Sequence, residues 1–236
     1  MNNFLKRSYE TWNWREWLQA ITYKDKQNEL VLKLFKTLEQ SYKQLEKWWM
    51  EKDHMTKEWY EHAFISYEIA YNSLKDETWL VYYHNWDSNL WSINIDWKEN
   101  ESLDTKFLIQ KRVLLVCEKL EILLEKDDMI WARKVIDDVF ALIVRIWNKW
   151  ITEDTFNYDH NYWYDKEWNM LQIDVGSFWE WNEYIIKEIE AKRMLNNQTS
   201  KWLKEKSAEL YRYHIEKCEE LYSFFQFTNS KNLLPL

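Results

Sequence analysis

The chain has 236 residues, a formal net charge of −8 at pH 7 and an isoelectric point near 5.3. Lys and Arg are interspersed among Asp and Glu, which argues against a nucleic-acid-binding face and against binding to an anionic membrane surface. The most apolar stretch, residues 139–146, is too short to span a bilayer, so we expect a soluble, cytoplasmic protein. Cys117 and Cys218 have no CxxC partner, and we interpret them as buried thiols in a reducing compartment.

In chain order, the first 36 residues alternate like β-structure, with strands in the segments 9–11, 18–23 and 29–35. Residues 37–76 are helical in pattern, with a break at Trp48-Trp49 and an amphipathic helix over 58–74. A pair of strands is expected next, at 79–84 and 91–96. The first part of the chain is therefore predicted to be rich in β-structure.

The second part reads mostly as helix, because its apolar residues recur at helical spacing. We predict a helix over 104–125, a buried helix over 129–148, a polar loop at 150–164, a hairpin at 165–169, a strand at 170–174 and helices over 182–196 and 200–225. Strands followed by mostly helix predict the α+β class.

The chain holds 18 tryptophans and a single glycine, Gly176. Globular proteins average about 7% glycine, so the residue that tight turns need most is nearly missing. Three tryptophans instead follow Asn or Asp where Asn-Gly or Asp-Gly turns would join strands, at 13–14, 85–86 and 96–97. Such turns require a positive φ, which an indole side chain disfavours.

We therefore hypothesise that many of the tryptophans stand where the native protein has glycine, because the source organism reads the UGA codon as glycine. A literal tryptophan-rich protein and an engineered chain are the alternatives. The codons distinguish them, since UGG at Trp12, Trp14, Trp86 and Trp97 in the source gene would exclude recoding.

A glycine-rich phosphate loop is the first candidate site. With glycine at Trp12, Trp14 and Trp17, the segment 12–17 would read G-x-G-x-x-G between two strands. Glycine is needed in such a loop because its backbone N–H groups approach phosphate oxygens closely. Lys33 follows on the third strand, sixteen residues after Trp17, and taken alone it would be an ordinary exposed strand lysine.

The second candidate site does not depend on recoding. Asn161 is followed thirteen residues later by Asp174, in the sequence Ile-Asp-Val-Gly that ends at Gly176. Amide and carboxylate oxygens are suitable ligands for Mg²⁺, which would bridge nucleotide phosphates. The alternative interpretation of the tetrapeptide 173–176, taken alone, is that it is simply the end of a strand.

Together, these motifs resemble those of protein kinases from about residue 8 to residue 180, and residues 78–178 also resemble bacterial kinase-like proteins. The resemblance implies a two-lobed kinase-like fold with a small β-rich N-terminal lobe (1–103) and a mainly helical C-terminal lobe (104–236). ATP would bind between the lobes, and the product would be a phosphorylated acceptor whose identity the sequence does not specify.

The resemblance also implies roles for single residues. Trp12, Trp14 and Trp17 would stand in the nucleotide-binding loop, Lys33 would bind phosphates, and Asn161 and Asp174 would hold Mg²⁺. In the family, a glutamate on the helix before the fourth strand pairs with the strand lysine. On the helix predicted over 58–74, the candidates are Glu68 and Glu61.

Two departures from the kinase pattern affect the catalytic interpretation. The kinase catalytic loop would place its Asp five residues before Asn161, and that position is Phe156. Asp154 and Asp159 flank it and are the candidate bases. No Ala-Pro-Glu segment follows Asp174, so a small-molecule kinase, an atypical protein kinase, a pseudokinase or a helical protein-interaction module without catalysis are all open.

Overall fold

The structure, a computed structural model, describes residues 8–11, 20–25, 27, 29–47, 50–51, 56–84, 93–95, 98–100, 106–111, 114–153, 156–165, 168–180 and 183–230. By its internal contacts, the chain divides into two compact units. The first comprises residues 1–75 and 79–112, and the second comprises 76–78 and 113–236. The expected boundary after residue 103 therefore lies inside the first unit, ahead of its last strand.

The first unit contains a mixed sheet. Its described strands are β1 Ser8–Thr11, β2 Ala20–Asp25, β3 Leu30–Phe35, β4 Leu80–His84, β5 Ile93–Ile95, β6 Lys98–Asn100 and β7 Phe107–Lys111. Their order across the sheet is β4-β7-β3-β2-β1-β5-β6. All of the neighbouring pairs are antiparallel except β1 and β5, which are parallel.

Two helices follow β3 along the chain, α1 Leu38–Lys47 and α2 Lys57–Ser73. The start of α1 is fixed by a reciprocal pair of hydrogen bonds, in which the side chains of Thr37 and Gln40 each accept from the other residue's N–H. The N-cap of α2 is Thr56, whose hydroxyl accepts from the N–H of Trp59 at 3.1 Å. Helix α1 ends just ahead of the break expected at Trp48-Trp49, which lies outside the described residues. The helix expected over 58–74 is confirmed.

The second unit is mainly helical. Its described elements are β8 Leu114–Leu115, α3 Val116–Glu125, α4 Met129–Trp147, β9 Ile151–Glu153, α5 Tyr158–Asn161, β10 Tyr162–Tyr164, β11 Met170–Gln172, β12 Phe178–Glu180, α6 Glu183–Glu190, a 3₁₀ helix Arg193–Leu195, α7 Gln198–Lys206 and α8 Ala208–Ser230. Two small antiparallel sheets accompany the helices, in the strand orders β11-β10-β8 and β12-β9. The α+β class expected from the sequence is confirmed.

The core of the second unit is built around α4. Asp128 caps the helix by accepting from the N–H of Trp131 at 3.2 Å. Nine of its side chains are buried: Ala132, Val135, Ile136, Val139, Phe140, Leu142, Ile143, Ile146 and Trp147. Burying each large apolar side chain contributes about 1.5–3 kcal/mol, so α4 is a major source of this unit's stability. The buried helix expected over 129–148 is confirmed.

Two predictions from the sequence were wrong. The helix predicted over 104–125 begins only at Val116, because residues 107–111 form β7. The apolar run Phe107–Ile109 is buried on both faces of the sheet, and such a run cannot be distinguished from a helix by periodicity alone. Strands form at both positions expected at 79–84 and 91–96, as β4 and β5, but they do not pair with each other, since β4 pairs with β7 while β5 pairs with β1 and β6.

In two further segments the secondary structure differs from the prediction. The polar loop expected at 150–164 contains β9, α5 and β10. The helix expected over 200–225 is divided into α7 and α8 at Ser207, whose backbone is extended with φ −158°. Ser207 restarts the helix by accepting from the N–H of Leu210 at 3.3 Å.

Five described non-glycine residues have a left-handed backbone: Asp127, Trp150, Phe156, Trp168 and Lys192. Trp150, with φ 63°, follows the end of α4, and Trp168, with φ 65°, lies in the turn between β10 and β11. Glycine adopts this conformation without steric cost, whereas a bulky side chain rarely does. The replacement of glycine by tryptophan stays a prediction, and the pairs at 13–14, 85–86 and 96–97 lie outside the described residues.

Both cysteines are buried free thiols, as expected, and burial raises the pKa of Cys117 to about 11. Within the described residues, no helix combines the length and the apolar character that crossing a membrane requires.

Candidate functional site

Lys33 lies in the middle of the sheet of the first unit. On β3 it is directly opposite Thr22 of β2 and Leu108 of β7, and Leu108 is in turn opposite Tyr83 of β4. Residues opposite each other in antiparallel strands project from the same face, so these four side chains form one row. Lys33 is buried, with 6% of its surface exposed, which contradicts an ordinary exposed strand lysine.

The face that carries Lys33 is the one covered by α2. Phe35 lies two residues after Lys33 and therefore on the same face, and its ring is 4.8 Å from that of Tyr67 on α2. Tyr67 also contacts Tyr83, at 5.9 Å between ring centroids. The row of four side chains that contains Lys33 (the lysine row) therefore faces α2, and aromatic contacts join the sheet to the helix.

The positions of the two candidate glutamates on α2 favour Glu68. Burial, and after it the negative charge of Glu68, raises the pKa of Tyr83, so this carboxylate lies close to the row that contains Lys33. Glu61 is exposed and pairs with Lys57 at 3.5 Å within the helix. A buried ammonium group is stabilised by a nearby carboxylate, and Glu68 is the better placed of the two.

Asn161 and Asp174 meet at the open end of the hairpin formed by β10 and β11. Tyr162 pairs with Gln172 in this hairpin. One residue further out, the main-chain carbonyl of Asn161 accepts a hydrogen bond of 2.9 Å from the N–H of Ile173. Asp174 is the next residue, and both Asn161 and Asp174 are half-buried. The hairpin therefore brings together two residues that are thirteen positions apart.

The turn at the other end of the hairpin has a defined geometry. Asp165 accepts from the N–H of Trp168 at 3.1 Å through its main chain, and from the N–H of Asn169 at 2.7 Å through its side chain. A left-handed residue in the position of Trp168 is typical of a three-residue hairpin loop with a bulge, where glycine is usual. The hairpin predicted at 165–169 is confirmed.

A buried carboxylate supports the backbone beside Asp174. Glu153, 2% exposed, accepts hydrogen bonds from the hydroxyl of Tyr162 at 2.6 Å and from the side-chain amide of Gln172 at 2.9 Å. The same amide donates to the main-chain carbonyl of Asp174 at 3.2 Å. Burial and the Glu153 carboxylate together raise the pKa of Tyr162 well above its usual value, so its hydroxyl stays a donor.

Sequence reasoning missed Glu153. A single acidic residue in a polar segment usually lies in solvent, and nothing in its neighbours indicates burial. The segment Ile151–Glu153 is too short to show an alternating pattern, so no local signal could have revealed the burial of Glu153.

Of the two candidate catalytic bases, Asp159 and Asp154, the structure describes Asp159. Asp159 is wholly buried, and the hydroxyl of Thr199 donates to its carboxylate at 2.5 Å. A general base must come within hydrogen-bonding distance of the substrate, so this position suits a structural role better. Asp154 lies outside the described residues. Phe156, which occupies the expected position of the kinase Asp, is buried and has φ 48°.

The candidate nucleotide loop, with Trp12, Trp14 and Trp17, lies outside the described residues. Its flanking strands are described: β1 ends at Thr11, and β2 begins at Ala20. The two strands are antiparallel neighbours, with Thr11 opposite Tyr23. The segment therefore connects adjacent strands, as the sequence predicted.

The elements around the candidate residues follow the order that the kinase resemblance predicts. The segment 12–17 lies in sequence between the first two paired strands, and Lys33 is on the third strand. Glu68 is on the helix before the fourth strand, and a hairpin links Asn161 to Asp174. This order of elements agrees with the kinase resemblance, and the kinase-like fold itself stays a prediction.

Comparisons with known proteins give matches among solved structures. No family model and no curated protein matches the chain. Among solved structures, the chain is similar to one described as a co-crystal structure of WbdD and the kinase inhibitor LY294002, with a TM-score of 0.41 and 11% sequence identity. The match covers 89% of this chain and 45% of that chain, so this chain spans less than half the length of the protein that it matches.

Proposed function

We propose that the protein binds a magnesium–nucleotide complex such as Mg-ATP and transfers a phosphoryl group to an acceptor. The observation that carries the proposal is the hairpin that brings Asn161 and Asp174 together. Lys33 with Glu68 in the first unit, and Asn161 with Asp174 in the second, supply the residue types that kinases use for phosphates and metal.

The oxygen atoms of Asn161 and Asp174 fit Mg²⁺ chemically. Carboxylate and amide oxygens are suitable hard ligands, and Mg²⁺ usually keeps several water molecules and takes substrate phosphates as further ligands. The residues described contain no group of three or more His, Cys, Asp or Glu side chains that could enclose a metal. A site with two protein ligands that the nucleotide completes is consistent with this arrangement.

Each residue has a separate role in this proposal. Bound Mg²⁺ would neutralise charge on the phosphate oxygens. The ammonium group of Lys33 orients the phosphates, and Glu68 holds that ammonium in position. Glu153 acts through Gln172 by fixing the main chain at Asp174. We assign the role of base to Asp154, because the burial of Asp159 removes the other candidate.

Asp174→Asn tests the metal role most directly. Removing the carboxylate charge should abolish Mg-dependent nucleotide turnover and weaken Mg-dependent binding of a fluorescent ATP analogue, while the circular dichroism spectrum stays the same. Asp76→Asn, at an exposed position in a turn, is the matched control. Both variants should be measured in the chain with tryptophan at positions 12, 14 and 17 and in a protein with glycine at these positions. Turnover that is unchanged in Asp174→Asn would refute the role.

The second candidate function is nucleotide binding without catalysis. The presence of Phe156 where kinases have the catalytic Asp, together with the burial of Asp159, favours such a pseudokinase. Nucleotide binding without turnover in the glycine-containing protein would support it. The absence of any binding in that protein would favour an interaction module instead.

A further inference from the structure

We infer that the amino-terminal end of α7, residues Asn197–Ser200, is a positioning element that holds the segment 156–161 and thereby sets the location of Asn161. The inference rests on the proposed function, because its consequence is that residues which touch neither ligand control the binding of Mg²⁺ and nucleotide. It assigns Asp159 to this element rather than to acid–base chemistry.

Four hydrogen bonds join the two segments directly. The side-chain amide of Asn197 donates to the carbonyl of Phe156 at 2.6 Å, and the hydroxyl of Thr199 donates to the carboxylate of Asp159 at 2.5 Å. The same hydroxyl accepts from the N–H of Asp159 at 3.4 Å. The N–H of Gln198 donates to the side chain of Asn157 at 3.2 Å. Consecutive residues of one segment thus bond to nearly consecutive residues of the other.

A second set of bonds connects this contact to α8. The hydroxyl of Ser200 donates to the carbonyl of Met194 at 2.5 Å and lies 2.8 Å from Nε2 of His214. On its other side, Nδ1 of His214 is 2.9 Å from the hydroxyl of Tyr158. Because Ser200 donates to Met194, the network assigns the proton of His214 to Nε2 and leaves Nδ1 to accept from Tyr158.

The contact is closed to solvent. Tyr158, Asp159, Thr199 and His214 are each 0% exposed. Burial lowers the pKa of His214 to about 4, so the imidazole is neutral near pH 7 and fits the network as assigned. A buried polar group that loses its partner costs more than an exposed one, so each of these bonds restrains the segment strongly.

The hydrogen bonds between α7 and the segment 156–161 restrain Asn161 through a short stretch of main chain. Asp159 is two residues before Asn161, and the N–H of Asn161 donates to the carbonyl of Asn157 at 3.2 Å within α5. On the opposite side, the carbonyl of Asn161 accepts from Ile173. Asn161 is therefore held between the end of α7 and the strand that leads to Asp174. The helix α5 has only four residues and depends on these contacts, since so short a helix is not stable alone.

Thr199→Val tests the inference because valine keeps the shape of threonine and removes its hydroxyl. We expect hydrogen exchange in peptides covering 157–164 to become roughly tenfold faster and the affinity for Mg²⁺ with a fluorescent ATP analogue to fall by about as much. Thr199→Ser, which restores the hydroxyl, should return both values toward those of the original chain.

Asn197→Asp is the second variant, for the case in which Thr199→Val does not fold. The aspartate still caps α7 by accepting from the N–H of Ser200, as Asn197 does at 2.9 Å, but it cannot donate to Phe156. Ser207→Ala is the matched control, because it removes the cap of α8 without touching the segment 156–161. It should lower stability and leave exchange at 157–164 unchanged.

The outcomes separate this inference from the proposed function. Exchange at 157–164 that is unchanged in both Thr199→Val and Asn197→Asp overturns the inference, whatever the nucleotide data show. Faster exchange with unaltered Mg²⁺ affinity also overturns it, because the element then positions nothing that binds. Faster exchange in a protein that binds no nucleotide at all overturns the proposed function and supports the contact between α7 and the segment 156–161.

Discussion

The main-chain carbonyl of Asn161 accepts a hydrogen bond of 2.9 Å from the main-chain N–H of Ile173. The bond extends the β10–β11 pairing by one residue and ends directly beside Asp174. The main-chain atoms of Asn161 and Asp174 are therefore held near each other by the backbone of the hairpin. A metal site at these two residues stays a proposal.

The first prediction concerns the glutamate that accompanies Lys33. Glu68→Gln should weaken binding of a magnesium–ATP analogue on the order of tenfold, because the lysine ammonium loses a charged partner close to its row. Fluorescence titration measures the dissociation constant. Glu61→Gln, on the same helix but exposed, should leave that constant unchanged. Equal effects of the two substitutions would contradict the assignment of Glu68.

A second prediction concerns the buried carboxylate Glu153. Glu153→Gln replaces one of two accepting oxygens by an amide donor, which then faces either the Tyr162 hydroxyl or the Gln172 amide, both of which donate. We expect the free energy of unfolding to fall by about 2 kcal/mol, since a buried donor is left without an acceptor. Urea denaturation followed by circular dichroism measures it. A change within the experimental error would show that Glu153 is not bonded in this way.

The third prediction is a dependence of stability on pH through His214. Its pKa in the folded protein, about 4, lies below the value of 6.5 expected for the unfolded chain. Between these values the unfolded state binds more protons, so the contribution of His214 is complete above pH 6.5 and is lost as the pH falls toward 4. The loss amounts to about 3 kcal/mol.

Comparing the original chain with His214→Gln isolates this contribution from that of other titrating groups. Urea denaturation at several pH values between 4 and 7 should show a steeper decline for the original chain than for the variant. Tyr158 and Cys218, which contact His214, do not titrate in this range because burial raises the pKa of each. Parallel stability curves for the two proteins would contradict the prediction.

A fourth prediction concerns the left-handed tryptophans. Trp168→Gly should raise the free energy of unfolding by about 1 kcal/mol, because glycine relieves the positive φ and the indole is 62% exposed. Trp131→Gly, at a position 54% exposed in the first turn of α4, should instead lower it by roughly half a kcal/mol. If both substitutions destabilise the protein alike, the backbone at 168 has no preference for glycine.

Much of the fold could be predicted because local pattern determines it. Residues 29–35 and 129–147 show the alternation and the apolar spacing of a strand and a buried helix, and both form. The strand Phe107–Lys111 was misassigned because three consecutive apolar residues satisfy either structure. Its partners, β3 and β4, are far away in sequence, and pairing over such distances leaves no local signal.

The residues of the candidate site could likewise be predicted only in part. Asn161 and Asp174 could be proposed because their residue types and spacing resemble those of the kinase catalytic loop and metal-binding motif, and their role stays a prediction. The burial of Asp159 could not be foreseen, since its partner Thr199 is 40 residues further along the chain. Nor could sequence alone choose between Glu68 and Glu61, because the choice depends on which side of α2 faces the lysine row.

The contact between Asp159 and Thr199 also has a consequence for the synthesis of the chain. The segment 156–161 leaves the ribosome before its partners exist, with Thr199 following 40 residues later and His214 following Tyr158 by 56 residues. At a translation rate of about 5–20 residues per second, the first partner arrives roughly 2–8 s afterwards. The first unit, complete at residue 112, can fold during that interval, whereas the segment that carries Asn161 cannot take its final form until α7 and α8 have been made.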